Sequence, residues 1–317
     1  MNDNPPPSTA ASCLMQIGVT VFERGWLSSN NVLIQGEAST ALVDSGYCTH
    51  ATQTLALVQE ALKQRPLDLL LNTHLHSDHC GGNAALQSVF PKLTTLVPPG
   101  QATAVERWDP VALTHEPTGQ TCPAFNIQGV MTPGQTIRLG DALWEVHAAK
   151  GHDPHSIVLF EPNSKVLISA DALWENGFGV VFPELEGIDA FDEVADTLLL
   201  IKALNPLVVI PGHGAVFENV ESALQRAHSR LDQFVKSPDK HRRHALKVLI
   251  KFKLLEWQSV SYQDLFIWYA NTPYIASIEK RKISPEPNNL DLSLNSLIDD
   301  LARSGALRLE GDRVVDA

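Results

Sequence analysis

Apolar residues in the first two thirds of the chain come in short runs, several of them ended by Gly, Pro or a Ser-Asn pair before a helix could be completed. On that pattern Leu14–Phe22, Asn31–Gln35, Thr40–Asp44 and Leu67–Asn72 read as strands, as do Trp144–Ala149, Ile157–Glu161, Lys165–Ala170 and Leu207–Ile210. Between them the period changes. Ala51, Leu55, Val58 and Leu62 recur at 4-3-4 spacing, so a helix with one apolar face is predicted from an N-cap at Thr49 to Lys63. Further helices are predicted over Ala84–Val89, Ile188–Leu204 and Asn219–Val235. Pro98–Gly134 is rich in Pro, Thr and Gly with weak periodicity, and no element is assigned to it.

The pattern changes again near residue 236. Lys236-Ser237-Pro238-Asp239-Lys240 reads as a linker, followed by helices over His241–Trp257 and Ser261–Tyr269. Ser261 and Asp264 in the second are spaced like a capping box. A third helix carries the stripe Leu290, Leu294, Leu297, Ile298 and Leu301. Ala306–Leu309 and Arg313–Val315 then pair across Glu310-Gly311-Asp312. The expected organisation is a disordered tail at 1–13, a catalytic domain at 14–235 and a small C-terminal domain at 236–317.

The chemistry is concentrated where strands end. His74-Leu75-His76-Ser77-Asp78-His79 follows the run 67–72, and His152 follows the strand at 144–149. Asp171 follows 166–170, and His213, in Pro211-Gly212-His213-Gly214, follows 207–210. Ligands gather at the carboxyl ends of strands in open α/β sheets. Five imidazoles and two carboxylates suffice for two divalent ions. Zinc is the first expectation, and iron or manganese accept the same donors.

With Asp44 after the strand at 40–44, these make five ordered motifs that resemble the metallo-β-lactamase superfamily, whose His-x-His-x-Asp-His signature is matched at 74–79. The resemblance covers about residues 14–235 and implies an α+β fold, an αββα sandwich of two mixed sheets. It implies that His74, His76 and His152 hold one ion, that Asp78, His79 and His213 hold another, and that Asp171 bridges them. Asp44 matches an early strand-end aspartate that orients the site. Asp171 stands where two-ion zinc β-lactamases generally carry cysteine, so the chain looks like a glyoxalase II-like hydrolase. The three helices and hairpin at the C-terminus are similar to the winged-helix module of the lactamase-β-2-like branch.

The resemblance implies a metal-bridging hydroxide acting on a small thioester, ester or lactone, with Asp78 holding the water in line. A small-molecule substrate is the expected partner. His155 is a candidate proton donor, and the loop Trp174–Phe182 is a candidate pocket wall through Trp174, Phe178 and Phe182. Other histidines (His50, His115, His147, His228, His241, His244) receive no role, and Cys80 reads as a small space-filling residue. No Lys or Arg lies between Asp171 and Leu200, unlike the basic phrase with which glyoxalase II holds glutathione. Alternatives are an endoribonuclease, a mononuclear iron sulfur dioxygenase and a non-enzymatic ligand-binding protein.

Charge weighs on that choice. The formal net charge is −12, with 24 Lys+Arg and 36 Asp+Glu in the whole chain. Residues 236–317 hold 13 basic and 11 acidic residues, which leaves 11 and 25 for residues 1–235, a balance of −14. An acidic catalytic domain repels a polyanion, so nucleic acid is not expected as a partner. The C-terminal module is expected to shape the pocket or a homodimer interface. No apolar run approaches the ~20 residues needed to span a bilayer. The start lacks a signal-peptide pattern, and the four cysteines lack disulfide spacing. A cytoplasmic location is expected.

Overall fold

The computed structural model describes residues 9–280 and 287–317. A six-stranded sheet begins with an antiparallel meander of β1 (Val19–Phe22), β2 (Asn31–Gln35) and β3 (Thr40–Val43). It continues in parallel with β4 (Leu69–Leu71), β5 (Thr94–Val97) and β6 (Gly129–Val130). A five-stranded sheet runs antiparallel through β7 (Thr136–Leu139), β8 (Ala142–Ala148), β9 (Ile157–Glu161) and β10 (Val166–Ala170). Its edge strand, β11 (Val208–Pro211), lies parallel to β10.

Alternation along the strands sorts their side chains into layers. Val32 and Ile34 of β2, Val43 of β3, Val146 of β8 and Ile168 of β10 meet in one core between the sheets. Leu33, Leu42 and Leu70 point the other way, against Val58 and Leu62 of helix Ala51–Leu62 and Leu86 of helix Asn83–Val89. On the outer face of the second sheet Val158, Phe160, Leu167 and Val209 pack on helices Phe191–Leu204 and Val220–Lys236. Helix, sheet, sheet, helix is the αββα order expected. Strands buried on both faces cannot alternate in polarity, which is why they read as continuous apolar runs.

The C-terminal segment packs helices Pro238–Trp257, Tyr262–Asn271, Pro273–Lys280 and Pro287–Arg303 around Leu249, Ile250, Tyr269, Ile275, Leu294 and Leu297. A three-stranded sheet closes it, with β12 (Ser259–Ser261), β13 (Leu307–Glu310) and β14 (Arg313–Asp316) in the order β12-β14-β13. Val180 and Leu185 enter the same core, so the loop after Asp171 is packed against the C-terminal helices.

Several expected boundaries are corrected. Thr9–Gln16 is a helix, where a disordered tail to 13 and a strand from Leu14 were expected; residues 1–8 of that tail lie outside the described residues. Ala10, Cys13, Leu14 and Ile17, at helical spacing, pack against the inter-sheet core. Thr49 lies inside a 3-10 turn, Cys48–His50, and makes no capping bond. The expected linker is nearly absent: one helix ends at Lys236 and the next starts at Pro238. Proline suits a first helical position because its missing N–H would have no partner there. The helix expected from Ile188 begins at Phe191, where Glu184 Oε1 accepts the N–H groups of Ala190 and Phe191 at 2.6 and 2.9 Å. Helix Pro273–Lys280 and strand β12 had no counterpart in the expectation.

Candidate metal centre

Asp44 follows β3, His74 follows β4, Asp171 follows β10 and His213 follows β11, so both sheets present their ends to one place. His74 Nε2 lies 3.0 Å from His76 Nδ1, and His152 Nε2 lies 2.9 Å from the same atom. Burial and the neighbouring imidazoles hold His74 and His76 well below the ordinary histidine range, so both rings are neutral. His152 donates Nδ1–H to the Val180 carbonyl at 2.6 Å, which turns the Nε2 lone pair into the site. Three ring nitrogens thus converge with too few protons to bond one another. That arrangement suits a cation.

The second group is built on a short helical turn, Ser77–Cys80. Asp78 Oδ2 lies 3.0 Å from His213 Nε2 and 3.9 Å from His79 Nε2. His79 Nδ1–H donates to Asp44 Oδ2 at 2.7 Å, and the opposite ring nitrogen, Nε2, is buried without a hydrogen-bond partner. Asp44 itself is anchored by Thr73, whose N–H and Oγ1–H donate to its two oxygens at 2.9 and 2.8 Å. Its backbone adopts φ +58°, a left-handed conformation that Asp and Asn tolerate better than most residues other than Gly.

Asp171 stands between the groups. Oδ2 lies 3.3 Å from His152 Nε2, while Oδ1 lies 3.4 Å from His79 Nε2 and 3.9 Å from His213 Nε2. Burial opposes ionisation of Asp171, but His79 and His213 outweigh it and hold its carboxyl well below the usual range. Burial likewise opposes charge on His79, yet Asp44, Asp171 and Asp78 together raise its pKa well above the ordinary value. Buried carboxylates that draw a proton onto a buried imidazole mark a place where positive charge is missing, and a bound cation would supply it. The donor set therefore fits two ions, with His74, His76 and His152 around one position and Asp78, His79 and His213 around the other. Gly212 leaves room for this: a Cβ there would fall 2.2 Å from Asp171 Oδ1.

The site floors a cavity of about 410 Å³. Trp26 stacks on His213 (centroids 5.4 Å, interplanar angle 10°) and meets Trp174 edge-on at 5.3 Å. Trp174 Nε1–H also donates to Asp171 Oδ1 at 3.2 Å. Phe182 packs edge-on against His76 and His152. Val248, Leu249 and Phe252 of helix Pro238–Trp257 line the same space, with Thr114, Thr118 and Gln120 from the stretch left unassigned by sequence.

Of the expected wall residues, Trp174 and Phe182 line the cavity, and Phe178 does not. It is buried against Phe234 in the core of the second sheet. His155 is also displaced from its expected place. Its ring packs on Gly100, its N–H donates to Asp153 Oδ1 at 2.8 Å, and it is not among the cavity lining. Trp26, Arg230 and His244 line the cavity without having been singled out, and His244 had been given no role. The 244, 248, 252 spacing was a helical signal for that wall, but nothing in it said what the face covers. Behind the centre, Cys80 is fully buried among Leu75, Val97 and Val105, as a space-filling residue would be, with its Sγ 3.7 Å from Cys122 Sγ and close to His115.

Comparison with known proteins bears on this arrangement. The profile of the metallo-beta-lactamase superfamily matches residues 24–213. The chain is 24% identical over 205 residues to the atrochrysone carboxyl ACP thioesterase of Aspergillus fumigatus, covering 64% of this chain and 56% of that one. It is 31% identical over 172 residues to a hydroxyacylglutathione hydrolase of Rhodobacter capsulatus, covering 52% and 57%. The chain thus spans little more than half the length of these two relatives. A metallo-beta-lactamase family protein of Thermus thermophilus superposes with a TM-score of 0.55 at 17% identity, over 95% of this chain and 99% of that one. That last likeness is one of fold. The profile match runs from the approach to β2 through His213 and so encloses every residue of the centre: the chain belongs to the metallo-beta-lactamase superfamily.

Proposed function

We propose that the chain is a metal-dependent hydrolase of small thioesters, with esters and lactones as close alternatives. The observation that carries this reading is Asp171, which offers one oxygen to each imidazole group at the floor of an apolar-walled cavity. The names of the two relatives, a thioesterase and a hydroxyacylglutathione hydrolase, support the thioester. Two divalent ions, zinc first, would be held by His74, His76 and His152 and by Asp78, His79 and His213, with Asp171 shared. Bound there, they would supply Lewis acidity and a water nucleophile at neutral pH.

The remaining work falls to the chain. Burial opposes ionisation of Asp78, but His79 and His213 outweigh it, so its carboxylate is ionised at neutral pH and can orient a water proton. Asp44 and the Val180 carbonyl fix which nitrogen of His79 and of His152 faces the reaction. Trp26, Trp174, Phe182 and Phe252 exclude bulk water and hold the acyl group.

We further propose a catalytic unit at 14–235 and a winged-helix-like unit at 236–317 whose first helix walls the pocket. Cations that would serve a nucleic-acid reader are paired within this segment. Arg243 and Lys247 meet Asp300 at 2.8 and 3.6 Å, Lys251 meets Asp316 at 2.5 Å and Lys253 meets Glu256 at 2.6 Å. The test is metal analysis of purified protein with a panel of thioesters, esters, lactones and single-stranded RNA. Thioester cleavage that chelation abolishes and metal restores is the expected result. Metal-dependent RNA cleavage without thioester cleavage would overturn the reading.

A further inference from the structure

The cavity wall holds a cation that meets no counter-charge among the described residues. Arg230, on helix Val220–Lys236, lines the same space as the metal-facing residues. Its guanidinium has five N–H donors, and among the described residues a hydrogen bond is formed by Nη1 alone, to the Phe178 carbonyl at a long 3.3 Å. Among the described residues no carboxylate lies within 4.0 Å of it, whereas Arg242, Arg243, Arg303 and Arg308 each meet one. Burial lowers its pKa, but a guanidinium stays charged in proteins. A half-buried charge without a partner is costly unless something that enters the cavity pairs with it.

Its placement is specific. The loop that starts at Asp171 passes Trp174, which donates to the Asp171 carboxylate, and reaches Gly177, whose carbonyl accepts the Trp174 N–H at 2.7 Å. A Cβ on Gly177 would fall 2.5 Å from Arg230 Nη1, and Gly177 has φ +119°, so this position suits glycine on both counts. One short loop therefore carries a metal-facing carboxylate at its start and a guanidinium against its far side. Beside Arg230 the cavity wall continues with His244, whose pKa is pushed down to about 4 by burial, Arg230 and Lys247. That ring is neutral at pH 7 and can serve as a hydrogen-bond partner. No basic residue lies between Asp171 and Leu200, so this cation is brought to the loop by tertiary packing alone.

We propose that Arg230 is the specificity-determining residue for an anionic group, a carboxylate or a phosphate, carried by the substrate away from its scissile bond. The inference rests on the thioesterase reading. A planar guanidinium grips such a group through two parallel N–H bonds, with geometry a lysine cannot reproduce. The anion can belong to the acyl part or to the thiol carrier.

The experiment compares the metal-loaded native chain with Arg230→Gln and Arg230→Lys on three thioesters. Butyryl-pantetheine carries no anion, glutaryl-pantetheine carries one on the acyl side, and butyryl-4′-phosphopantetheine carries one on the carrier. The native chain should favour one charged substrate over the neutral one by about tenfold or more in kcat/KM, a typical worth of one charged contact. That ratio should fall to near unity in Arg230→Gln and recover in part in Arg230→Lys. The charged substrate whose ratio collapses names the source of the anion.

A guanidinium that only clamps the loop through Phe178 would lower all three substrates alike and leave the ratios intact. Such a result overturns the inference, as does a native chain with no preference. Calorimetric titration of the same proteins with glutarate and with 4′-phosphopantetheine separates the two readings. Arg230-dependent binding without hydrolysis of any thioester sinks the thioesterase and upholds the anion site. Hydrolysis of butyryl-pantetheine without Arg230-dependent binding or preference does the reverse.

Discussion

His241 ties the C-terminal helix to the metal centre and should make the fold acid-sensitive. Its Nε2 accepts the Val181 N–H at 3.1 Å, and the carbonyl of the preceding residue, Val180, accepts His152 Nδ1–H. Burial, then His244 and Arg242, push the His241 pKa from 6.5 down to about 3. Because the folded value is the lower one, the unfolded chain takes up the proton first. This contribution is therefore neutral above about pH 6.5 and destabilises the fold progressively as pH falls towards 3. At pH 5 the difference amounts to about 1.5 units of proton affinity, or about 2 kcal/mol. The assay is urea unfolding of the metal-loaded native chain and of His241→Gln at pH 7 and pH 5. Glutamine can still accept from Val181 but does not titrate. The difference between the two pH dependences isolates the titration of residue 241. The substitution also removes ring contacts with Phe191 and Phe234, so absolute stability falls and only its pH dependence is compared. The native chain should lose about 2 kcal/mol more than the variant between the two pH values. Equal losses would refute the argument.

Asp171→Ala should bind one ion less and lose activity by about a hundredfold or more, with its unfolding transition retained, because the sheets and the other donors remain; metal analysis with two ions still tightly held would contradict the shared-carboxylate assignment. Asp44→Asn weakens the hold on the His79 tautomer and should reduce metal affinity about 10–100-fold with little change in fold, read by competition with a chelator. Gly177→Ala must accommodate a Cβ at φ +119° and 2.5 Å from Arg230 Nη1, so a stability loss of about 1–3 kcal/mol is expected in denaturant titration; an unchanged midpoint would show that the loop relaxes freely.

The residues of the candidate centre were legible because each lies within a few positions of the strand that carries it. An apolar run followed by His or Asp is a local pattern, and a strand's end fixes its neighbours in space, so His74, His76, Asp78, His79, His152, Asp171 and His213 could be placed together before any coordinates. The αββα layers were legible for the same reason, since runs such as Leu69–Leu71 and Val166–Ala170 are apolar on both faces. Helix Thr9–Gln16 was missed although Ala10, Cys13, Leu14 and Ile17 carry its period, because the proline-rich start outweighed so short a stripe. The walls of the cavity were another matter. Trp26, Gln120, Arg230 and Phe252 come from four distant segments, and Phe178 and Phe182, four residues apart in one loop, end on different sides of it. Local patterning says that a side chain will be buried and says nothing about which cavity or core will bury it. That is decided by how whole layers pack, and here packing alone sets the Arg230 guanidinium, which meets no carboxylate among the described residues, beside the loop that begins at Asp171.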